Sequence, residues 1–294
     1  MIPHLRSTVT TVCLGMAALA SSLSAQIEVK ATMSKRDYVA NEPVMVTITI
    51  TNRAGRDLFL HGNSRQSWLD FNIKNDRGVP LSTFRGSEGF NAVNVPAGRS
   101  VSRTVDLSQS FRVTTLGRYG GYASVRMPDD GETVYSSNRI SFAVSSARAL
   151  YAQKIGVPGS DTTREYRVLT FSNGNKSELY VEVEDGKTGR ILRTFSLGES
   201  LMFRKPEATV DGANNLSVLY LNTPSVFVHA RISPDGKLIG RELFKRGQTG
   251  EPRLTTFANG EVRTAGGVPY DPEAEQAQQA RVRRISERPP FAYR

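Results

Sequence analysis

Val44-Met45-Val46-Thr47-Ile48-Thr49-Ile50-Thr51 places valine or isoleucine at every second position, with methionine and threonine between them. Successive side chains of a β-strand point to opposite faces, so this run buries one face and wets the other. Asn41-Glu42-Pro43 starts the strand and Asn52-Arg53-Ala54-Gly55 ends it. Working outward, Ile27, Val29 and Ala31 form an earlier strand. Leu58-Phe59-Leu60, Trp68 to Ile73, Phe90 to Val95, Val101 to Leu107, Tyr119 to Met127 and Ile140 to Val144 supply the rest. Turn signals recur at intervals of roughly ten residues: Asp76-Arg77-Gly78, Pro96-Ala97-Gly98 and Asp129-Asp130-Gly131. Short strands at that spacing predict an all-β sandwich.

Leu116-Gly117-Arg118-Tyr119 enters an alternating strand in the manner of a tyrosine corner, where a Tyr hydroxyl reaches back to the backbone. Trp68, the single tryptophan, opens a mid-domain strand and is expected to anchor the core. Tyr38-Val39-Ala40-Asn41-Glu42-Pro43-Val44 with its strand and Thr51-Asn52, together with Leu116 to Tyr119, resembles bacterial immunoglobulin-like domains. Such domains are of the kind seen in intracellular-proteinase-inhibitor-type sandwiches and cadherin-like modules. The resemblance covers residues 28–146 and implies a fold. It implies little about function, because such sandwiches host many unrelated roles.

The second part of the chain recurs on itself. Leu179 to Lys187, containing Asp185-Gly186, leads to Arg193 to Gly198. About fifty residues on, Val228 to Lys237, containing Asp235-Gly236, leads to Leu243 to Gly247. Each reads as strand, Asp-Gly hairpin turn, strand. A shorter unit follows around Asn259-Gly260. The period resembles partial β-propeller blades of the kelch or WD type. Closed propellers need about four to eight blades, and here there are two and a fraction. The reading is therefore a blade-like antiparallel β-meander that closes against the first domain or against a second copy, since open sheet edges need cover.

Met1 to Arg6 is short and singly positive, and Val9 to Leu23 is apolar and uncharged, with small-x-small signals at Ala18-Leu19-Ala20 and Leu23-Ser24-Ala25. This is the layout of a secretory signal peptide. It implies an exported protein, periplasmic or secreted. Cys13, the single cysteine, lies inside that signal, so disulfides, a cysteine nucleophile and cysteine-ligated zinc are excluded from the remainder. Asp271-Pro272-Glu273 starts a helix, with Asp as N-cap. It leads into a marginal surface helix or a disordered end. The expected organisation is a signal peptide over 1–25, an immunoglobulin-like sandwich over 26–148, a blade-like meander over 149–270 and a basic tail over 271–294.

The net charge of +10 is spread along the chain. Residues 26–150 hold 16 basic and 11 acidic side chains, and residues 151–294 hold 21 and 17. A nucleic-acid-binding protein gathers its cations on one stripe or arm, so no nucleic acid is expected. An anionic polysaccharide or a protein of a bacterial envelope is the expected partner, with a homodimer as a further expectation.

The residues offer little familiar chemistry. His61, followed by Gly62-Asn63-Ser64, has Asp70 a strand away, but no Gly-x-Ser-x-Gly elbow places a serine nucleophile. His229 reads as a half-buried packing residue in a strand. Glu182, Glu184 and Asp185 read as a solvated strand face, and Asp129-Asp130-Gly131-Glu132 as an acidic turn lacking EF-hand spacing. No Gly-rich phosphate loop follows a strand. No catalytic, cofactor-binding or metal-ligating residue is therefore assigned, and no cofactor is expected. The expected function is a non-catalytic binding or assembly module. The alternatives are a carbohydrate- or peptide-acting hydrolase with an unorthodox carboxylate site, or a proteinase inhibitor using the loop Ser82 to Gly89.

Overall fold

The computed structural model describes residues 27–62, 66–83, 90–113, 115–127, 133–157, 161–248 and 250–286. The expected signal peptide, Cys13, Ser64, the acidic turn 129–132 and most of the loop 82–89 lie outside them. The described residues form an all-β protein of 21 strands and two helices.

The N-terminal half contains β1 (Ile27–Met33), β2 (Asp37–Val39), β3 (Met45–Asn52), β4 (Leu58–Leu60), β5 (Leu69–Asn75), β6 (Val93–Val95), β7 (Ser100–Asp106), α1 (Leu107–Ser110), β8 (Gly117–Arg126), β9 (Val134–Ser136) and β10 (Ile140–Ser145). One sheet runs β1-β3-β7. A second runs β2-β10-β8-β5, with β9 also paired to β8. Alternation decides what each buries: Val46, Ile48 and Ile50 of β3 face inward, as do Leu69, Phe71 and Ile73 of β5. Both sets belong to one hydrophobic core, so the two sheets face each other across it. Trp68 sits at its centre, 1% exposed, and donates Nε1–H to the carbonyls of Phe90 (2.9 Å) and Asn91 (3.1 Å). The Tyr119 hydroxyl donates to the Thr115 carbonyl four residues upstream.

The C-terminal half contains β11 (Arg148–Gly156), β12 (Thr163–Asn173), β13 (Lys176–Asp185), β14 (Ile191–Glu199), β15 (Glu207–Val210), β16 (Leu216–Thr223), β17 (Val226–Ile232), β18 (Leu238–Arg246), β19 (Arg253–Thr256), β20 (Val262–Ala265), β21 (Gly267–Pro269) and α2 (Pro272–Ser286). The antiparallel meander β11-β12-β13-β14 faces a second sheet, β15-β16-β17-β18-β21, across a second core. The opposite face of that second sheet carries Leu219, Leu221 and Phe227, with Leu254 of the β19-β20 hairpin packed against them. Gly236 and Gly260 take the left-handed backbone that the Asp-Gly and Asn-Gly turns require (φ 74° and 79°). At Asp185-Gly186 the loop is longer than a two-residue turn. Asp185 Oδ1 accepts from the amides of Lys187 and Thr188, and Gly189 takes the positive φ instead (70°). The Asp271 carboxylate caps α2, accepting from the amide of Glu273 at 2.9 Å.

The two halves meet around β2 and the residues on either side of it. Val39 packs with Leu169 and Tyr180. Lys35 Nζ donates to Glu42 (2.5 Å) and to the Tyr180 hydroxyl (3.1 Å), which in turn donates to Glu178. Burial opposes the Lys35 charge, but its bonds to Glu42 and Tyr180 outweigh that and raise its pKa. Burial pushes the Tyr180 hydroxyl up to about 12. Asn41, at φ 67°, donates to Glu182 Oε2 (3.1 Å).

Of Glu182, Glu184 and Asp185, expected on a solvated strand face, Glu182 is instead covered and the other two are half-buried. Glu182 is 6% exposed. The reason is tertiary: the N-terminal half lies over this end of the sheet. Arg167, one strand away, binds Glu182 Oε1 (3.0 Å), Glu184 Oε2 (2.9 Å) and Glu165 Oε1 (2.8 Å).

Candidate functional site

The outer face of β5, β8 and β10 holds an open polar groove. In β5 the residues between the buried ones, Asp70, Asn72 and Lys74, point outward and are exposed. In β8 the inward residues are Tyr119, Ala123 and Val125, so Arg118, Gly120, Tyr122, Ser124 and Arg126 face out. Strand register places Lys74, Gly120 and Ser141 in one row, Asn72 beside Tyr122 in the next, and Asp70, Ser124 and Ser136 in the third. Gly120 contributes no side chain to the first row. The row becomes a trough between Lys74 and Ser141, bounded by Tyr122.

That trough opens into a groove of about 540 Å³, whose rim carries Asp76 and Arg139. A second depression of about 170 Å³ continues it past Asp70, Ser124 and Arg126, and the two share Asn72 and Tyr122. The larger volume suits a small polar ligand or a short stretch of polymer. Its lining holds a planar amide, a phenol and charges of both signs with cations in excess, and it provides hydrogen-bonding groups along two strands. Gly121 has a different task. A Cβ there would lie 2.0 Å from the Asn72 carbonyl oxygen, so close backbone approach demands glycine. At Gly120 a Cβ meets only the Ile140 carbonyl, at 3.5 Å.

Of these groove residues the sequence points to Asp70 alone, and only as a partner of His61. The Gly120-Gly121 pair inside an alternating strand was the available signal, since strand glycines mark close approach.

His61 and Asp70 are not brought together, and only Asp70 borders the groove. His61 is exposed, its ring 5.4 Å from that of Phe59. Asp70 accepts from the amide of its neighbour Phe71, and no hydrogen bond or ion pair among the described residues joins it to His61. The carboxylates between the halves are engaged: Glu182 by Arg167, Asn41 and Thr194, and Glu178 by Tyr180 and Ser196. Among the described residues no group of three His, Cys, Asp or Glu is placed to hold a metal ion.

His229 is more deeply buried than expected, at 3% exposure. Its Nδ1 lies 3.1 Å from the Thr264 hydroxyl under the β19-β20 hairpin, and among the described residues its Nε2 has no partner. Burial lowers its pKa below 6.5; Glu242, at 4.0 Å, opposes this and Arg231 reinforces it. The folded protein then holds fewer protons than the unfolded chain below pH 6.5. Stability is therefore fully present above that pH and falls as the pH drops through this window. Urea unfolding at pH 7.5, 6.5, 5.5 and 4.5 is expected to show the fall, with a shallower slope in His229→Gln. Equal slopes would show that His229 does not carry the effect.

The described residues thus define an all-β protein with an open polar groove on one sheet face. No protein-family model matches the chain, and no curated protein matches it. Among solved structures, the crystal structure of Spo0M, a sporulation control protein from Bacillus subtilis, is similar at a TM-score of 0.27 and 10% identity. The match covers 58% of this chain and 91% of that one. A likeness of that size settles neither fold family nor function.

Proposed function

We propose that the protein is an exported, non-catalytic binding module of a bacterial envelope or extracellular space, and that it holds a polysaccharide along the outer face of β5, β8 and β10. The observation that carries this reading is the trough at Gly120, flanked by Lys74, Ser141 and Tyr122 and continued by the depression past Asp70. A linear polymer needs an open channel with repeated hydrogen-bonding positions, and alternate residues of two adjacent strands supply them. An aromatic side chain in the channel offers a flat apolar surface at low entropic cost. Export rests on the signal-like segment 1–25. The cationic excess favours an anionic polymer.

In this reading the N-terminal half is an immunoglobulin-like sandwich. The shared core of two sheets and the Tyr119 hydroxyl on the Thr115 carbonyl support it. The C-terminal half is a blade-like pair of meanders packed face to face, supported by the four-stranded order β11-β12-β13-β14 and the parallel case of β15 to β18.

Gly120→Leu tests the site directly. The position is free of positive φ and has room for a Cβ, so the thermal midpoint is expected to hold or rise slightly. Binding to an envelope polysaccharide, measured by pull-down or on a glycan array, is expected to weaken about tenfold or more as the trough fills. Retention of wild-type binding by Gly120→Leu would remove the groove from the reading.

A further inference from the structure

The two facing sheets of the C-terminal half end in an open mouth beside α2. On β18, Arg241 and Lys245 pair in register with Ala230 and Val226, and so project on the side of the shared core, flanking Leu243. Tyr270 and Glu275, at the start of α2, close one side. Asn222, Thr223 and Ser225 of the β16-β17 turn close the other. The space between them is about 640 Å³.

The two cations of this mouth are in different states. Lys245 Nζ is held by both oxygens of Glu275, at 2.8 and 2.9 Å, and lies 3.9 Å from the centre of the Tyr270 ring. Arg241 is exposed, and among the described residues no carboxylate pairs with it. The neighbouring Glu242 projects to the opposite face, toward Arg231 and His229. The mouth thus carries one positive charge in excess, on a guanidinium whose fork matches an oxyanion in two-point geometry. Asn222 donates its amide to the Glu199 carbonyl (2.8 Å), which leaves its side-chain oxygen as an acceptor. Thr223 and Ser225 add exposed hydroxyls.

We propose that this mouth binds an acidic sugar unit, a uronate or a sugar phosphate, with the oxyanion on Arg241 and sugar hydroxyls on Asn222, Thr223 and Ser225. The ligand class follows from the glycan reading above, but the site is a separate one in the other half of the chain. Glu275 is a competitor in this arrangement: it neutralises Lys245 and repels an incoming anion.

Calorimetric titration of the full chain at low salt, with digalacturonate, glucose 6-phosphate and neutral cellobiose, tests the proposal. Binding of at least one acidic probe and not of cellobiose is expected, and the acidic probe that binds identifies the oxyanion. Arg241→Gln is expected to weaken that binding about tenfold or more, and Glu275→Gln to tighten it several-fold. Gly120→Leu, in the other half of the chain, is expected to leave the Arg241-dependent part of that binding unchanged. Absence of binding by both acidic probes, or an Arg241→Gln variant that titrates like the wild type, overturns the proposal. If Gly120→Leu abolishes acidic-probe binding while Arg241→Gln keeps it, the mouth is excluded and the groove on β5 and β8 stands. The reverse pattern assigns these short probes to the mouth, and the polymer assay with Gly120→Leu then decides the groove separately.

Discussion

Replacing Trp68 with alanine is expected to remove about 3–5 kcal/mol of stability, the range for deleting a large aromatic from a packed core. Trp68 immediately precedes β5 and belongs, almost fully buried, to the core shared by both sheets of the N-terminal half. Its ring meets Phe90 edge-on at 6.4 Å, and the Arg103 guanidinium lies 5.9 Å from its centre. The substitution leaves a cavity and removes the donor shared by the carbonyls of Phe90 and Asn91. The urea midpoint, followed by circular dichroism because the variant has no tryptophan, is expected to fall with little change in slope. A loss below about 1 kcal/mol would mean the core relaxes around the gap and that Trp68 is not its anchor. Trp68→Phe retains much of the packing and is expected to lose roughly half as much or less.

Arg167→Met is expected to destabilise the protein by about 3 kcal/mol. Removing one partner from a buried ion cluster strands the others, at about 3–5 kcal/mol for full burial. The lower end applies because the Arg167 side chain is itself 31% exposed. Three carboxylates lose their common cation, and Glu182 cannot rehydrate because Asn41 and Thr194 hold its second oxygen in a covered position. The double variant Arg167→Met/Glu182→Gln separates this from lost packing. If stranded charge is the cause, removing the Glu182 charge recovers more than about 1 kcal/mol of the loss. Additive losses in the double variant would assign the effect to the arginine's methylene stem. Because Asn41 belongs to the other half, the same substitution is expected to increase protease susceptibility of the loop after β2.

The groove, the mouth beside α2 and the Arg167 cluster were legible to different degrees. Asp70, Asn72, Lys74, Gly120 and Tyr122 lie in strands that alternation identifies, and the face each occupies follows from its position relative to Phe71 and Tyr119, whereas Asp76 and Arg139 lie just outside strands. Which rows they form does not follow, because the register of β5 on β8 is set by pairing of segments some fifty residues apart in the chain. The mouth is less legible still. Arg241 and Lys245 read as ordinary polar positions of a strand, and only the return of the chain through β21 to α2 brings Tyr270 and Glu275 beside them.

The amino-acid sequence by itself determined the all-β class, the strands β1, β3 to β8, β10, β13, β14, β17 and β18, the turns at Asp235-Gly236 and Asn259-Gly260, and the start of α2. These depend on neighbours two to four residues away: side-chain alternation, the φ freedom of glycine and the capping carboxylate of Asp271. The tertiary structure alone decided the rest. It added β2, β9, β11 and β21, which are short or exposed edge segments that gain order by pairing with strands already in place. It buried Glu182 where alternation alone left it wet, because a polar face stays solvated only if nothing packs over it. Here the loop carrying Asn41 covers that end of the sheet, and Arg167 supplies the charge that makes the cover tolerable.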